Sequence, residues 1–230
     1  MEAERPIMAS GRIRELFVAY LNQTRFPTLW KLFQLTIGGT IDKRKLCLLK
    51  YSGQKRILEI GCSLGNIAQV FKKYNIEYTG VDIDSTAINY AKKEFVKCPN
   101  FKFICVDLRK YAEQSSEKYD FILFAGVLHH IDDFLSKELI VSSKKLLAEN
   151  GKIVIVDSLR PDEKDNWFIH LFMQIMEQGK YLRREEKLKE LIETLPGLRC
   201  VASESHYQGA TPFSFPKSCR FAVHVLEVVK

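Results

Sequence analysis

The chain has 230 residues, of which 46% are hydrophobic, enough for one substantial core and too few for several independent domains. No apolar run approaches the roughly 18 residues that span a bilayer, and the opening residues, MEAERPIMASGR, lack the apolar core of a signal peptide. Six cysteines without a C-x-x-C pair are typical of reduced thiols. We therefore expect a soluble, cytoplasmic protein with no transmembrane segment.

The net charge of +7 comes from the N-terminal part of the chain. Residues 1–56 hold 11 Lys and Arg against 4 Asp and Glu, while the rest of the chain holds 24 basic and 24 acidic residues. The basic residues alternate with apolar ones instead of forming a cluster. This pattern favours a solvated helical surface over an interface with nucleic acid, anionic lipid or an acidic substrate.

The N-terminal segment has apolar residues at helical spacing. They recur over residues 13–21 and again over residues 29–37, on either side of Pro27. Gly38-Gly39 ends the second helix, and Thr40 can cap a third that runs to about Tyr51. Residues 1–51 are therefore predicted to form a helical cap.

Short apolar runs alternate with amphipathic stretches over residues 56–157. The runs read RILEI, EYTGVDI, FKFICVD, YDFILFA and GKIVIVD. This alternation predicts an α/β fold with a parallel sheet. Asp84 can cap one of the intervening helices, and Asp132 can cap another that ends at Asn150-Gly151.

The last part of the chain carries two helix candidates and two β-rich runs. The first helix has three pairs of apolar positions, which we assign to the core and not to ligand contacts: Trp167/Phe168, Leu171/Phe172 and Ile175/Met176. The runs LRCVASESHY and RFAVHVLEVV predict an antiparallel pair of strands added to the sheet. Residues 52–230 would then form one domain, with a helical lid within residues 158–215.

The stretch ILEIGCSLGN, residues 57–66, places a glycine-containing turn directly after the first strand. A dinucleotide-binding turn, G-x-G-x-x-G, uses its second glycine to let the backbone approach a diphosphate. Ser63 occupies that position here, and its side chain would crowd a diphosphate. The turn therefore favours a ligand other than NAD or FAD.

The pattern E-x-G-x-x-x-G in this turn resembles motif I of class I S-adenosylmethionine-dependent methyltransferases, with Ser63 in place of the usual middle glycine. The resemblance implies a Rossmann-like sheet, S-adenosylmethionine as the cofactor, and a cofactor-binding role for the turn. The residues of the turn assigned to this role are Glu59, Gly61, Cys62, Ser63, Gly65 and Asn66.

Two strand-end carboxylates continue the resemblance. Asp82 lies 21 residues after Gly61, where its carboxylate can accept hydrogen bonds from both ribose hydroxyls. Asp107 ends the following strand, where the family places an acceptor for the adenine amino group. Ile83 and Leu108 would flank the adenine ring.

The run VLHHI after the fourth strand resembles small-molecule methyltransferases of the ubiquinone and menaquinone biosynthesis type. Gly126, just before it, is assigned to cofactor binding, and His129 and His130 are the candidate catalytic residues. A histidine at this edge of the sheet could remove the proton of a hydroxyl acceptor. The alternative is that one histidine packs under the cofactor while the other holds the loop. So short a cluster of His and Asp, without distant matching ligands, does not predict a metal site.

Arg44 could pair with the carboxylate of the cofactor, because a guanidinium binds a carboxylate through two hydrogen bonds. A position on the surface is the alternative. Aromatic and histidine side chains outside the central sheet are available to line an acceptor pocket. They are Tyr20, Trp30, Trp167, Phe172, Tyr181, His206, Tyr207, Phe213 and Phe215.

Motifs that this sequence lacks bear on the acceptor. Methyltransferases for amino groups of adenine or glutamine usually carry N/D/S-P-P-Y/F/W after the fourth strand, where this chain has Phe124-Ala125-Gly126-Val127. A Pro-Cys dipeptide, found in cytosine-C5 enzymes, is absent as well. Both observations disfavour nucleic acid as the acceptor.

These features together predict an enzyme that methylates a small or lipid-like molecule on oxygen by in-line displacement. An RNA or protein methyltransferase is the first alternative, supported by the basic residues 1–56. A non-catalytic protein that binds the cofactor is the second. The oligomeric state is not predicted.

Overall fold

The computed structural model describes residue 28 and residues 40–177, 179–209 and 216–229. The helices predicted over residues 13–21 and 29–37 lie outside these residues. The first described helix, α1 (Thr40–Leu49), begins at the predicted Thr40 and ends just before the predicted Tyr51.

The described residues form a seven-stranded sheet. Its strands are β1 (Arg56–Ile60), β2 (Glu77–Asp82), β3 (Phe101–Cys105), β4 (Tyr119–Ala125), β5 (Leu147–Ser158), β6 (Leu198–Gly209) and β7 (Lys217–Val228). The order across the sheet is β3-β2-β1-β4-β5-β7-β6. Strands β1 to β5 pair in parallel, and β7 is antiparallel to both β5 and β6. The predicted sheet and its terminal antiparallel pair are confirmed.

Helices cover both faces of the sheet. One face carries α1, α2 (Ala68–Phe71), α3 (Ser85–Glu94) and α6 (Trp167–Met176), and the other carries α4 (Leu108–Gln114), α5 (Asp133–Lys144) and α7 (Glu185–Glu193). The central strands read as continuous apolar runs because both of their faces are buried. In β1, for example, Ile57 packs on one face and Leu58 on the other.

Helix capping follows the sequence at the start of α3 and α5 but not at the end of α5. Asp84 accepts hydrogen bonds from two backbone N–H groups of α3, and Asp132 accepts one from α5. The prediction that this helix ends at Asn150-Gly151 is wrong, because α5 ends at Lys144. Leu147 already pairs with β4, and Asn150 adopts a φ of 59° where the register of β5 shifts. This Asn-Gly pair forms an irregularity in a strand and not a helix end.

The apolar helix α6 contacts the sheet through Ile169 and Met173, which are buried. Trp167 is 74% exposed and Leu171 is 42% exposed, so the assignment of the paired positions to the core is wrong for these two residues. Adjacent helical residues point about 100° apart, so Ile169 and Met173 face the sheet while Trp167 and Leu171, each two positions earlier, face away. Among the described helices, none combines the length and the apolarity needed to cross a membrane.

Candidate active site

A cavity of about 550 Å³ lies at the carboxyl ends of β1, β2 and β4, on both sides of the point where the strand order reverses. Open α/β sheets bind ligands at such a point. Most of the predicted site residues line this cavity. They are Glu59, Gly61, Cys62, Ser63, Asn66, Asp82, Ile83, Asp107, Leu108, Gly126, His129 and His130.

The glycine turn has a left-handed backbone at three positions. The φ angles are 67° at Gly61, 48° at Ser63 and 75° at Gly65. A Cβ at Gly61 would lie 2.7 Å from a methyl group of Val127, so both conformation and space require glycine there. Ser63 adopts the left-handed conformation despite its side chain, which explains why the family motif has glycine at this position.

Gly65 does not line the cavity. A Cβ at this position would lie 2.8 Å from the ring of Phe95, which is part of the core. Gly65 therefore keeps the turn close to the packed aromatic residues behind it.

Asp82 is held in place at the end of β2. Its Oδ2 accepts a hydrogen bond from the backbone N–H of Ser63 at 2.8 Å, and its Oδ1 accepts one from Asp84 at 2.9 Å. The carboxylate thus connects the end of β2 to the glycine turn. Each oxygen keeps a further lone pair with which it can accept a hydrogen bond from a ligand.

Asp107 is paired with an arginine of its own helix. It caps α4 by accepting from the backbone of Arg109, and the guanidinium donates to both of its oxygens, at 2.9 and 2.6 Å. The hydrogen bonds from Arg109 lower the pKa of Asp107. A ligand would therefore share this carboxylate with Arg109.

Glu59 and Lys43 both line the cavity and interact electrostatically. Glu59 is 1% exposed and accepts a hydrogen bond from the hydroxyl of Tyr78. Burial raises the pKa of Glu59 to about 8, against the opposing effects of Tyr78 and Lys43. A large share of Glu59 is consequently uncharged at neutral pH.

Lys43, and not Arg44, is the residue of α1 that lines the cavity. Nζ of Lys43 lies 3.0 Å from the position that a Cβ on Gly126 would occupy. Arg44 points elsewhere, and its Nε donates to the backbone carbonyl of Asn66 at 2.8 Å. The expectation that Arg44 faces a cofactor carboxylate is therefore corrected, since Arg44 supports the chain after the glycine turn.

His129 lies between two carboxylates. It sits in a short 3₁₀ helix (Leu128–His130) after β4 and is 6% exposed. Its Nδ1 donates to Oδ1 of Asp157 at the end of β5, because a carboxylate can only accept. Its Nε2 lies 3.5 Å from Oε1 of Glu177. Burial acts to lower the pKa of His129, but Asp157 and Glu177 outweigh it, so this pKa lies above its ordinary value.

His130 differs from its neighbour in exposure and in the direction in which its pKa is shifted. The residue is exposed, and its ring centre lies 4.1 Å from that of His129. The protein atoms packed around the ring, and then His129, lower the pKa of His130 to about 4. His130 is therefore neutral at physiological pH and only weakly basic.

Sequence reasoning missed four residues at the site: Lys43, Asp157, Glu177 and Arg183. A signal existed for Asp157, because it ends the apolar run GKIVIVD in the way that Asp82 and Asp107 end theirs. Lys43, Glu177 and Arg183 belong to no strand-end pattern. Only the folded chain brings them to the cavity or to the turn that carries the histidines.

Few of the proposed aromatic lining residues reach the cavity. Phe172 lines it, whereas Trp167, Tyr181, His206 and Tyr207 do not. Tyr20, Trp30, Phe213 and Phe215 lie outside the described residues. In the part of the chain that the structure describes, no group of three or more His, Cys, Asp or Glu residues is arranged to hold a metal ion.

Comparisons with known proteins agree with this geometry. A family model described as a methyltransferase domain matches residues 33–201. A ubiquinone biosynthesis O-methyltransferase of Aliivibrio fischeri (strain MJ11) is 23% identical over 150 residues, which cover 61% of this chain and 63% of that protein. Indole glucosinolate O-methyltransferase 5 of Arabidopsis thaliana is 30% identical over 143 residues, covering 60% of this chain and 36% of that protein. The chain thus spans less than two thirds of the length of these curated relatives.

A solved structure has the same fold. The N-methyltransferase NodS from Bradyrhizobium japonicum WM9, in complex with S-adenosylhomocysteine, aligns with a TM-score of 0.59 and 18% identity over 83% of this chain and 86% of that chain. The predicted family, fold and cofactor are confirmed together. The chain belongs to the methyltransferase-domain family and has the Rossmann-like sheet of class I S-adenosylmethionine-dependent methyltransferases.

Proposed function

We propose that this protein methylates a hydroxyl oxygen of a small or lipid-like molecule, with His129 as the general base. The observation that carries the proposal is the hydrogen bond between His129 and Asp157, located in the same cavity as the glycine turn and Asp82. The curated relatives named above are O-methyltransferases by their names, which supports oxygen as the acceptor atom. The reaction, its substrate and the predicted cytoplasmic location all belong to this proposal.

The cofactor would bind along the glycine turn and the end of β2. The left-handed backbone at Gly61 and Gly126 leaves the cavity wall without side chains at two points, which suits a ligand that lies close to the chain. Asp82 would accept the ribose hydroxyls, and Ile83, which is 77% exposed, would lie against the adenine together with Leu108. Lys43 would face the carboxylate of the cofactor in place of Arg44.

His129 would remove the proton from the acceptor hydroxyl. S-adenosylmethionine supplies a methyl group on a positively charged sulfur that is ready for displacement. The carboxylate of Asp157 fixes the proton of His129 on Nδ1, so that Nε2 carries the lone pair. Nε2 lies 3.5 Å from Glu177, too far for a strong hydrogen bond, and stays available to accept a proton from a hydroxyl.

The lining of the cavity includes apolar side chains from α5, α6 and β7 and from the segment just before α5. They are Ile131, Leu135, Leu139, Phe172, Met173 and Phe221. Such a wall favours an acceptor with an apolar body and few polar groups. We also propose that residues 1–51 form the helical cap and that the helical stretch between β5 and β6 forms the lid, since Lys43 and Phe172 reach the cavity from these two segments.

Methyl-labelled S-adenosylmethionine tests the proposal directly. The protein is incubated with it and a panel of phenols, aliphatic alcohols and primary amines, and in parallel with cell extract that is then separated into organic-soluble, aqueous, protein and nuclease-sensitive fractions. We expect label in hydroxyl compounds or in a small-molecule fraction, and a large loss of label with His129→Gln. Label on amines alone would contradict the choice of oxygen.

The RNA or protein methyltransferase remains the second candidate because of the basic residues 1–56. Label in nuclease-sensitive or protease-sensitive material, together with salt-sensitive binding, would favour it. Binding of the cofactor without transfer to any fraction would favour the non-catalytic alternative instead.

A further inference from the structure

Arg183 holds the segment that carries both histidines, here called the histidine turn (residues 128–131). Its side chain is 8% exposed, and its guanidinium has a partner for each of its five N–H groups. Nε donates to Asp133 Oδ1 at 2.7 Å, Nη1 to the carbonyls of Leu128 at 2.7 Å and Tyr181 at 3.2 Å, and Nη2 to the carbonyl of Ile131 at 2.9 Å and to Ser136 Oγ at 3.1 Å.

Two of these bonds bracket the histidine turn. The carbonyls of Leu128 and Ile131 belong to its first and last residues, and they bind the two terminal nitrogens of one planar group. Because the guanidinium is rigid, it fixes the distance between the two ends of the turn. A lysine has a single ammonium on a flexible stem and cannot make this bridge.

The backbone of Arg183 is attached to the chain that continues from β5. Its carbonyl accepts from the backbone N–H of Arg160 at 2.8 Å, and Arg183 forms a β-bridge with Leu159. Asp157, the partner of His129, lies just before this point in β5. The stretch from Asp157 to Arg160 therefore positions the ring of His129 directly and the histidine turn through Arg183.

A further bond joins the same segment to His129 itself. The backbone N–H of Tyr181 donates to the carbonyl of His129 at 2.9 Å. Glu177 reaches the other side of the ring from the beginning of the same connection between α6 and α7. The connection thus contacts the turn, the backbone of His129 and the edge of its ring.

We propose that Arg183 is a positioning residue for methyl transfer, which holds the histidine turn so that the ring of His129 stays between Asp157 and Glu177. The inference rests on the proposed function only for the role of His129 as the base. The position of the ring is a property of the folded protein and can be measured without an acceptor.

Adjacent arginines provide a matched pair of variants. Arg184 follows Arg183 directly, is exposed, and makes no side-chain capping bond to α7. Arg183→Lys keeps the charge and removes the planar group, and Arg184→Lys makes the same chemical change on the surface.

The first measurement is the titration of the His129 ring by NMR in the full-length free protein, with the signal assigned by its absence in His129→Gln. The charged groups that act on this ring are Asp157 and Glu177, which raise its pKa, and Lys43, which lowers it together with burial. The titratable ring of His130 also faces it, with ring centres 4.1 Å apart. In Arg183→Lys we expect the pKa of His129 to fall toward its ordinary value, because the ring leaves the two carboxylates. Arg184→Lys should titrate like the wild type.

The second measurement separates binding from turnover. Arg183→Lys should lower kcat by roughly tenfold to a hundredfold, since a small displacement of a reacting group costs that much, while calorimetry gives an unchanged Kd for S-adenosylmethionine. A titration of His129 that is identical in Arg183→Lys and in the wild type overturns the proposal.

Ser136→Ala is the milder variant if Arg183→Lys does not fold, because it removes one partner of the guanidinium. It should shift the His129 titration in the same direction by a smaller amount, and no shift in this variant also contradicts the proposal. Failure of the proposed function gives a different result. In that case the wild type labels no hydroxyl compound, yet the titration of His129 still responds to Arg183→Lys.

Discussion

The cavity has two halves that are held together by different kinds of contact. The half at the ends of β1 to β3, where we propose that the cofactor binds (the cofactor half), is built from a turn and from strand-end carboxylates. Its connecting bond, from the backbone of Ser63 to Asp82, spans 19 residues of sequence. The half at the ends of β4 and β5, where we propose that the acceptor binds (the acceptor half), depends on side chains from residues further apart in the sequence. His129 and Asp157 are 28 residues apart, and Arg183 and Leu128 are 55 apart.

This difference indicates that cofactor binding and methyl transfer can be changed separately. The cofactor half uses backbone N–H groups and left-handed glycines, so few side chains there are free to vary. The acceptor half uses side chains supplied by a connection between helices, and such connections vary more readily than the sheet. We expect changes in the first half to alter cofactor affinity and changes in the second to alter turnover.

The largest expected effect separates the two histidines. His129→Gln should lower kcat by about 10²-fold to 10⁴-fold, because it removes the general base, and leave the Kd for S-adenosylmethionine unchanged. In the wild type, kcat should rise with pH with a midpoint above about 6.5, since the base must be neutral and its pKa is raised.

His130→Gln is the matched control for this experiment, since His130 is adjacent, exposed and weakly basic. We expect it to change kcat far less than His129→Gln does. Steady-state kinetics across pH compares the two variants, and equal losses in both would show that the turn matters as a whole and that His129 has no special role.

Asp82→Ala tests the cofactor half, and it should change the affinity for the cofactor instead of turnover. The substitution removes a charged acceptor and should weaken the binding of S-adenosylmethionine by about 1 to 3 kcal/mol, with kcat near normal at saturating cofactor. Isothermal calorimetry measures the change, and Asp84→Asn, which keeps a side chain able to cap α3, serves as the control. An unaltered Kd in Asp82→Ala would remove the ribose assignment.

His224→Leu tests the antiparallel strands that support the acceptor half. His224 in β7 is 1% exposed, and within the described part of the chain neither of its ring nitrogens has a hydrogen-bond partner. Burial lowers its pKa to about 4, below the value of about 6.5 in the unfolded chain. The unfolded state therefore binds a proton first as the pH falls below about 6.5, and the folded protein loses stability.

Denaturant unfolding at pH 7.5 and pH 5 measures this effect. Between these two pH values the wild type should lose about 2 kcal/mol more free energy of unfolding than His224→Leu. Parallel losses in both proteins would mean that His224 finds a partner or water when it is protonated.

Ser63→Gly is expected to have the smallest effect. Ser63 has a φ of 48°, a conformation that costs a residue with a side chain about 1 kcal/mol or more. The greater freedom of glycine in the unfolded chain offsets part of this gain, so the variant should be more stable by less than about 1 kcal/mol. Thermal unfolding with and without S-adenosylmethionine checks this, and a weaker Kd in the variant would show that the Ser63 side chain contributes to binding.

The sequence predicted the cofactor half more completely than the acceptor half, and particular residues show why. Glu59, Gly61 and Asp82 lie in strand ends and turns, whose positions follow from the alternation of apolar runs. Arg44 was the wrong choice in α1, because Arg44 and Lys43 are neighbours and only the rotation of the packed helix decides which one faces the cavity.

The errors outside the site have the same origin. The Asn150-Gly151 pair has the composition of a helix end, yet the pairing of Leu147 with β4 ends the helix earlier. Trp167 and Leu171 have the composition of a core, yet the sheet covers only the side of α6 that carries Ile169 and Met173. In both cases a tertiary contact outweighs a local preference.

The order of the strands along the chain, the glycine turn and the two strand-end carboxylates Asp82 and Asp107 follow from the sequence alone, and with them the family and the cofactor. These features are local, since backbone conformation and the alternation of apolar residues act over a few positions. Only in the folded chain does His129 lie between Asp157 and Glu177, does Lys43 face the cavity, and does Arg183 hold the histidine turn. Contacts between residues so far apart depend on how helices and strands pack, and no local pattern in the chain encodes that packing.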